Sequence, residues 1–166
     1  MISLKRIAPA DVTLFRIVRL RALQDTPSAF SATYAEECRL ADTDWISRIA
    51  QWSGSASTTY IAMEADAACG IAGGYLEQSD RSRAHLVSMW VAPSHRRLGI
   101  GAKLVDAIID WARGQNARTL ELIVTSNNDV AINFYTRLGF TFTGETSPYR
   151  NDPALTDLEM IRTISR

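Results

Sequence analysis

The stretch Val91-Ala92-Pro93-Ser94-His95-Arg96-Arg97-Leu98-Gly99-Ile100-Gly101-Ala102 holds residue types that bind an anion, at a spacing that lets them act together. Glycines at a helix start let backbone N–H groups come close to a negative group, and the helix dipole adds to the attraction. Arg96 and Arg97 bring charge to the same spot, and Lys103 follows within a turn. A diphosphate suits that set of donors. Of three phosphate-binding patterns, the Walker loop GxxxxGK[ST] fails, because Ala102 stands between Gly101 and Lys103. The dinucleotide loop GxGxxG fits Gly99 and Gly101 but meets Leu104 at its third position. The pattern [RQ]xxGx[GA] is met by Arg96, Gly99 and Gly101. Taken alone, it also describes helix starts that hold nothing. A second segment, 127–140, places Asn128, Ala131, Tyr135, Gly139 and Phe140 at N-x-x-A-x-x-x-Y-x-x-x-G-F spacing.

These segments need elements to hold them. Alternation over residues 2–6 predicts a short first strand. Pro9 and Asp11 then open a helix through Val12, Phe15, Val18 and Ala22, which ends at 25–28. A second helical region spans roughly 33–52, with a break near 41–43. Residues 58–64 and 69–77 read as a hairpin around the turn 65–68, and 83–91 as a further strand. The spacing then predicts a helix over 101–114, a strand over 119–125 and a helix over 130–138 stopped by Gly139. Strands over 140–145 and 157–161 close the chain. The order β-α-α-β-β-β-α-β-α-β-β implies an α/β fold, a mixed sheet flanked by helices.

Composition bounds the function. With 166 residues and 46% hydrophobic content, the chain is expected to form one soluble domain, 1–166, needing no disulfide or structural metal. No apolar run approaches the ~18 residues of a membrane span, and the first residues lack a signal peptide. Cys38 and Cys69 have no ligand-like spacing and read as reduced thiols of a cytoplasmic protein with no metal site. The pI near 6.7 argues against a dedicated nucleic-acid binder. The formal charge of zero is uneven, however. Residues 25–80 carry nine acidic groups against two basic, whereas 81–105 carry five basic groups and none acidic.

Taken together, the two motifs and the element order resemble the GNAT acetyltransferase superfamily over nearly the whole chain. The resemblance implies a mostly antiparallel mixed sheet, splayed at a cofactor cleft between the strand before the glycine turn and the next parallel strand. It implies acetyl-CoA as co-substrate. It further implies that the acetyl group passes to a primary amine by direct attack in a ternary complex. Cofactor contacts carried over are the strand backbone of Met89, Trp90 and Val91, the turn Arg96, Arg97, Leu98, Gly99, Ile100, Gly101 and Ala102, and Asn128 and Tyr135. Gly99→Ala or Gly101→Val is expected to weaken cofactor binding without unfolding the protein. Asn128 is equally a helix N-cap. Trp90 could turn its ring towards the core or the acceptor.

Tyr135 is the implied general acid, protonating the leaving thiolate. Where some members carry a glutamate base, this chain has Ile123. Glu77 and His85 are the candidate bases, with Glu121 nearby and a water chain as the alternative; histidine exchanges protons near neutral pH. Glu36, Glu37, Asp42 and Asp44 could form a negative rim attracting a polyamine, an aminoglycoside or a lysine side chain, or simply a solvated helix face. Phe30, Tyr34 and Trp45 could line the acceptor pocket or fill the core, and Tyr149 is a weaker acceptor contact. The resemblance implies a small-molecule or peptide amine as acceptor, and a homodimer, since family members are often dimers. The alternatives are a non-catalytic acyl-CoA-binding or interaction module, or a protein N-terminal or lysine acetyltransferase.

Overall fold

A computed structural model describes residues 1–165. Seven strands form one sheet in the order β1-β2-β3-β4-β5-β7-β6, where β1 is Ile2–Arg6, β2 Ser57–Glu64, β3 Ala67–Leu76, β4 Arg83–Val91, β5 Thr119–Thr125, β6 Thr141–Pro148 and β7 Thr156–Thr163. Only β4 and β5 run parallel; the other neighbours are antiparallel. The helices are α1 (Val12–Asp25), α2 (Tyr34–Glu37), α3 (Asp42–Trp52), α4 (Ile100–Gly114) and α5 (Asp129–Arg137). The expected second helical region is thus two helices, separated around Leu40 and Ala41. Thr33 and Glu36 form a capping box at the start of α2, and at the start of α3 the Asp44 carboxylate accepts from Ala41 N–H.

Helical spacing decides which faces are covered. Leu104, Val105, Ile108 and Ala112 form the inner stripe of α4 and are fully buried, with α4 lying across β2, β3 and β4. On the opposite face, Phe15, Val18 and Ala22 of α1 and Trp45 and Ile49 of α3 are buried, and Phe15 meets Trp45 edge to face at 5.9 Å. Trp45 therefore belongs to the core, as does Phe30, both of which could also have lined a pocket. Directly paired residues share a face of a sheet. Tyr75, His85, Glu121 and Ile161 thus lie on the α1 side. That side is roofed by helices over β2–β4; on β5, Glu121 and Thr125 are buried there, Thr125 against Ser28, and Ile123 between them is exposed.

Two features of the sheet shape the site. Pairing of β4 with β5 covers only Arg83–Thr119, Ala84–Leu120 and His85–Glu121, although β4 continues to Val91 and β5 to Thr125. Beyond that point the strands diverge, leaving an open wedge. In addition, β4 carries a bulge opposite the step between Ile71 and Gly73, where Ser88 takes a left-handed φ of +56°.

Candidate active site

The glycine turn lies at the open end of the wedge. After Pro93–His95, Arg97 adopts φ +64° and Gly99 φ +78°, and α4 begins at Ile100. Gly99 is needed for its backbone conformation: a Cβ there would touch nothing within 4 Å, yet the left-handed region penalises any L side chain. Gly101 differs. A Cβ on it would sit 3.0 Å from Phe134 Cζ and 3.2 Å from Met89 Cε, so its smallness lets α5 and β4 close on the helix start. Gly101 thus serves packing as well as any ligand approach. The first bond of the helix runs from Lys103 N–H to Gly99 C=O at 3.2 Å. The N–H groups of Ile100, Gly101 and Ala102 therefore have no partner within the helix.

Charge around the turn is more selective than the sequence suggests. Arg96 does not point freely: its Nε donates to the Val91 carbonyl at 3.0 Å, and its guanidinium pairs with Asp25. Asp25 also accepts from Trp90 Nε1 at 2.9 Å and from the Thr26 hydroxyl at 2.8 Å. Burial pushes the Asp25 carboxyl up, but these bonds and Arg96 outweigh it and hold the group below the ordinary aspartate range. His95 bonds Glu64 and Arg83 bonds Glu121. Among the described residues, Arg97 and Lys103 make no ion pair and remain the free cations beside the turn. Leu98 is 64% exposed at its crest, Ile100 is buried beneath it, and Ala102 is half-buried. Trp90 faces α1, with Arg21 over its ring at 5.2 Å, so it belongs to the core.

On the α1 side of the sheet, His85 Nε2 lies 3.0 Å from Glu77 Oε2. Tyr75 stacks on the imidazole at 4.7 Å and 16°, with Trp52 edge-on behind it at 6.0 Å. Glu77 falls one residue beyond β3, yet its N–H still donates to Arg83 C=O. The structure thus brings the two candidate bases into one hydrogen-bonded pair. Glu121 is not a free base: Arg83 grips both its oxygens at 2.8 and 2.7 Å and holds the carboxyl below the ordinary glutamate range. Ile123 projects from the same face, 56% exposed, opposite Glu159. Glu145, Asp157 and Glu159 border a shallow depression beside it.

Tyr135 lies apart from this pair, on α5, and is 7% exposed. Its ring meets Phe134 at 5.1 Å and Phe140 at 5.7 Å, both edge to face. Burial pushes the hydroxyl pKa well above the ordinary tyrosine value, so the group is protonated at any working pH. Among the described residues that hydroxyl has no hydrogen-bond partner. Asn128 caps α5, its Oδ1 accepting from Ala131 N–H at 3.2 Å.

The acidic rim expected on the second helical region does not stand as free charge. Glu36 pairs with Arg150, Asp42 with Arg16, and Asp44 caps α3. Glu37 is 1% exposed between Arg19 and Arg48. Tyr149 braces a loop: its buried hydroxyl donates to Phe30 C=O at 2.9 Å, and Asn151 joins it to Ser31. This clamp holds the β6–β7 loop onto the segment between α1 and α2. Asp25, Arg19 and Ser88 had no signal in the sequence, because their partners lie 18 to 71 positions away.

A mixed sheet wedged open between two parallel strands, with a glycine turn at the mouth, defines an acyltransferase-type fold. The chain belongs to the acetyltransferase (GNAT) family, which it matches over residues 20–140. It is 36% identical over 88 residues to streptothricin acetyltransferase of Streptomyces lavendulae, covering 53% of this chain and 47% of that one. It is 32% identical over 69 residues to the N-terminal acetyltransferase B complex catalytic subunit naa20 of Schizosaccharomyces pombe, covering 42% and 38%. These matches span less than half of either relative. The fold is shared with the Salmonella typhimurium protein yncA, solved with its cofactor acetyl-CoA: TM-score 0.76, 23% identity, covering 100% of this chain and 95% of that one.

Proposed function

We propose that the protein transfers an acetyl group from acetyl-CoA to a primary amine, and that the acceptor is cationic. The observation that carries this reading is the wedge between β4 and β5, opening after His85 and Glu121 with the glycine turn at its mouth. The residues fit the group. Unpaired N–H groups of Ile100, Gly101 and Ala102, with Arg97 and Lys103 beside them, would hold a pyrophosphate. On the open edge of β4 the Met89 peptide group and the Val91 N–H would pair with the pantetheine amides, the Val91 carbonyl being held by Arg96 Nε, and Asn128 anchors the helix bordering them. Acetyl-CoA supplies an activated thioester.

The side chains then have separable roles. Glu77 orients His85 through Nε2, so Nδ1 is left as the lone-pair nitrogen that accepts a proton from the acceptor ammonium. The Glu77 carboxylate balances the imidazolium that results. The amine nitrogen would form its bond to the acyl carbon as the carbon–sulfur bond breaks; Tyr135 would give its hydroxyl proton to the departing sulfur, and the proton that the new amide nitrogen sheds would return to the Tyr135 oxygen. Ile123 does not leave the site without a base, because the Glu77–His85 pair supplies one. Among the described residues Glu145, Asp157 and Glu159 make no ion pair, and their grouping around the depression beside Ile123 supports a cationic acceptor.

The test mixes purified protein with acetyl-CoA, a thiol reagent and a panel of polyamines, aminoglycosides, lysine peptides and peptides with free N-termini. Acceptor-dependent CoA release, fastest with the cationic amines, is expected. Binding of acetyl-CoA with no release across the panel would leave a non-catalytic acyl-CoA-binding module instead.

A further inference from the structure

Ser88 holds a left-handed backbone that costs a residue with a Cβ free energy, so something outside β4 must fix it. Arg19 of α1 reaches it. Its Nη1 donates to Ser88 Oγ at 2.6 Å, while its Nε and Nη2 donate to the two oxygens of Glu37 at 3.1 and 3.0 Å. Arg48 of α3 donates to the same carboxylate at 2.9 Å, and the Phe30 ring lies 5.0 Å from the Arg19 guanidinium. Burial pushes the Glu37 carboxyl up, but Arg19 and then Arg48 outweigh it and hold the group ionised. The Arg19 fork is therefore rigid, a strut between the three helices of one face and the bulge of β4.

The bulge has a consequence for the wedge. Before it, Arg83 C=O accepts from Glu77 N–H, so odd-numbered residues of β4 turn their peptide groups to β3. After it, Ala92 N–H donates to Cys69 C=O, so even-numbered residues do. The extra residue shifts the alternation by one and turns the peptide groups of Met89 and Val91 to the open edge.

We infer that Arg19 is a positioning residue for the acyl-CoA edge: through Ser88 it locks the bulge that presents Met89 and Val91 to the wedge. The inference rests on the proposed acetyl-CoA reading.

The test is calorimetric titration of acetyl-CoA into the wild type, Arg19→Met, Ser88→Ala, Ser88→Gly and the double variant Arg19→Met/Ser88→Gly, with Arg48→Met as a structural control. Arg19→Met and Ser88→Ala are each expected to weaken binding about tenfold, the worth of one hydrogen bond to a charged group. Ser88→Gly, which adopts the positive φ without penalty, is expected to bind nearly as the wild type and to restore most of the affinity lost in Arg19→Met. Arg48→Met is expected to lower Tm while leaving affinity intact. Wild-type affinity in folded Arg19→Met, or a double variant as weak as Arg19→Met alone, overturns the inference. Ser88→Ala leaves the Arg19–Glu37 pair in place. If Arg19→Met does not fold, equal affinity of Ser88→Ala and Ser88→Gly overturns it instead. A wild type that does not bind acetyl-CoA removes the functional reading and the inference with it.

Discussion

Replacing Glu37 by Gln removes one negative charge from the centre of the α1–α2–α3 face and leaves its shape nearly unchanged. The carboxylate accepts three N–H donors from Arg19 and Arg48, and the residue is 1% exposed. Removing one member of a buried ion pair costs about 3–5 kcal/mol, because the partner charge stays buried without compensation. The side chain of Arg48 is 36% exposed and can turn to water, whereas that of Arg19 is 15% exposed and cannot. The lower end, about 3 kcal/mol, is therefore expected. For a chain of this length that corresponds to a Tm lowered by roughly 6–12 °C. The sign with pH follows from the depressed carboxyl. Its stabilisation is fully present above the ordinary glutamate value of 4.5 and is lost as pH falls through the lower folded-state value. Urea unfolding of Glu37→Gln and wild type should thus differ by about 3 kcal/mol at pH 7, and by progressively less below pH 4.5. A difference under about 1 kcal/mol at neutral pH, or one unchanged on acidification, would refute the reasoning.

Other consequences can be checked directly. Tyr135→Phe is expected to lower kcat about 100-fold while leaving Tm nearly unchanged, since the hydroxyl has no partner among the described residues; steady-state kinetics with thermal unfolding separates the two. Gly99→Ala carries backbone strain of about 1–2 kcal/mol with no clash; a turn that relaxes out of the left-handed region in the free protein must regain it on binding, so acetyl-CoA affinity should fall by up to about thirtyfold by calorimetry. Gly101→Val should weaken binding and also lower Tm, because its side chain must displace Phe134. His85→Gln and Glu77→Gln should each lower kcat/KM in steady-state kinetics, His85→Gln the more; wild-type kcat/KM in both assigns the base elsewhere.

What the sequence disclosed and what it hid have a common physical cause. Gly99, Gly101, Asn128 and Gly139 announce turns and caps by residue type alone, so the glycine turn and both helices beside it are legible within a residue or two. The left-handed Arg97 and Ser88 are not, because nothing in an arginine or a serine signals a positive φ. Glu37 sits in Tyr34-Ala35-Glu36-Glu37, which reads as a solvated helix face. Only the arginines arriving from α1 and α3 bury it. The same long-range pairing took Arg96 from the turn to Asp25. Glu77 and His85 were separately visible, and their hydrogen bond follows from the antiparallel register of β3 with β4.

The most direct measurement is a crystal structure of the protein grown with acetyl-CoA. The pyrophosphate is expected on the N–H groups of Ile100, Gly101 and Ala102 and the pantetheine paired with Met89 and Val91. The thioester should lie within hydrogen-bond reach of Tyr135. Acetyl-CoA bound elsewhere on the molecule, or a wedge closed by pairing of β4 with β5 beyond His85 and Glu121, would contradict this placement.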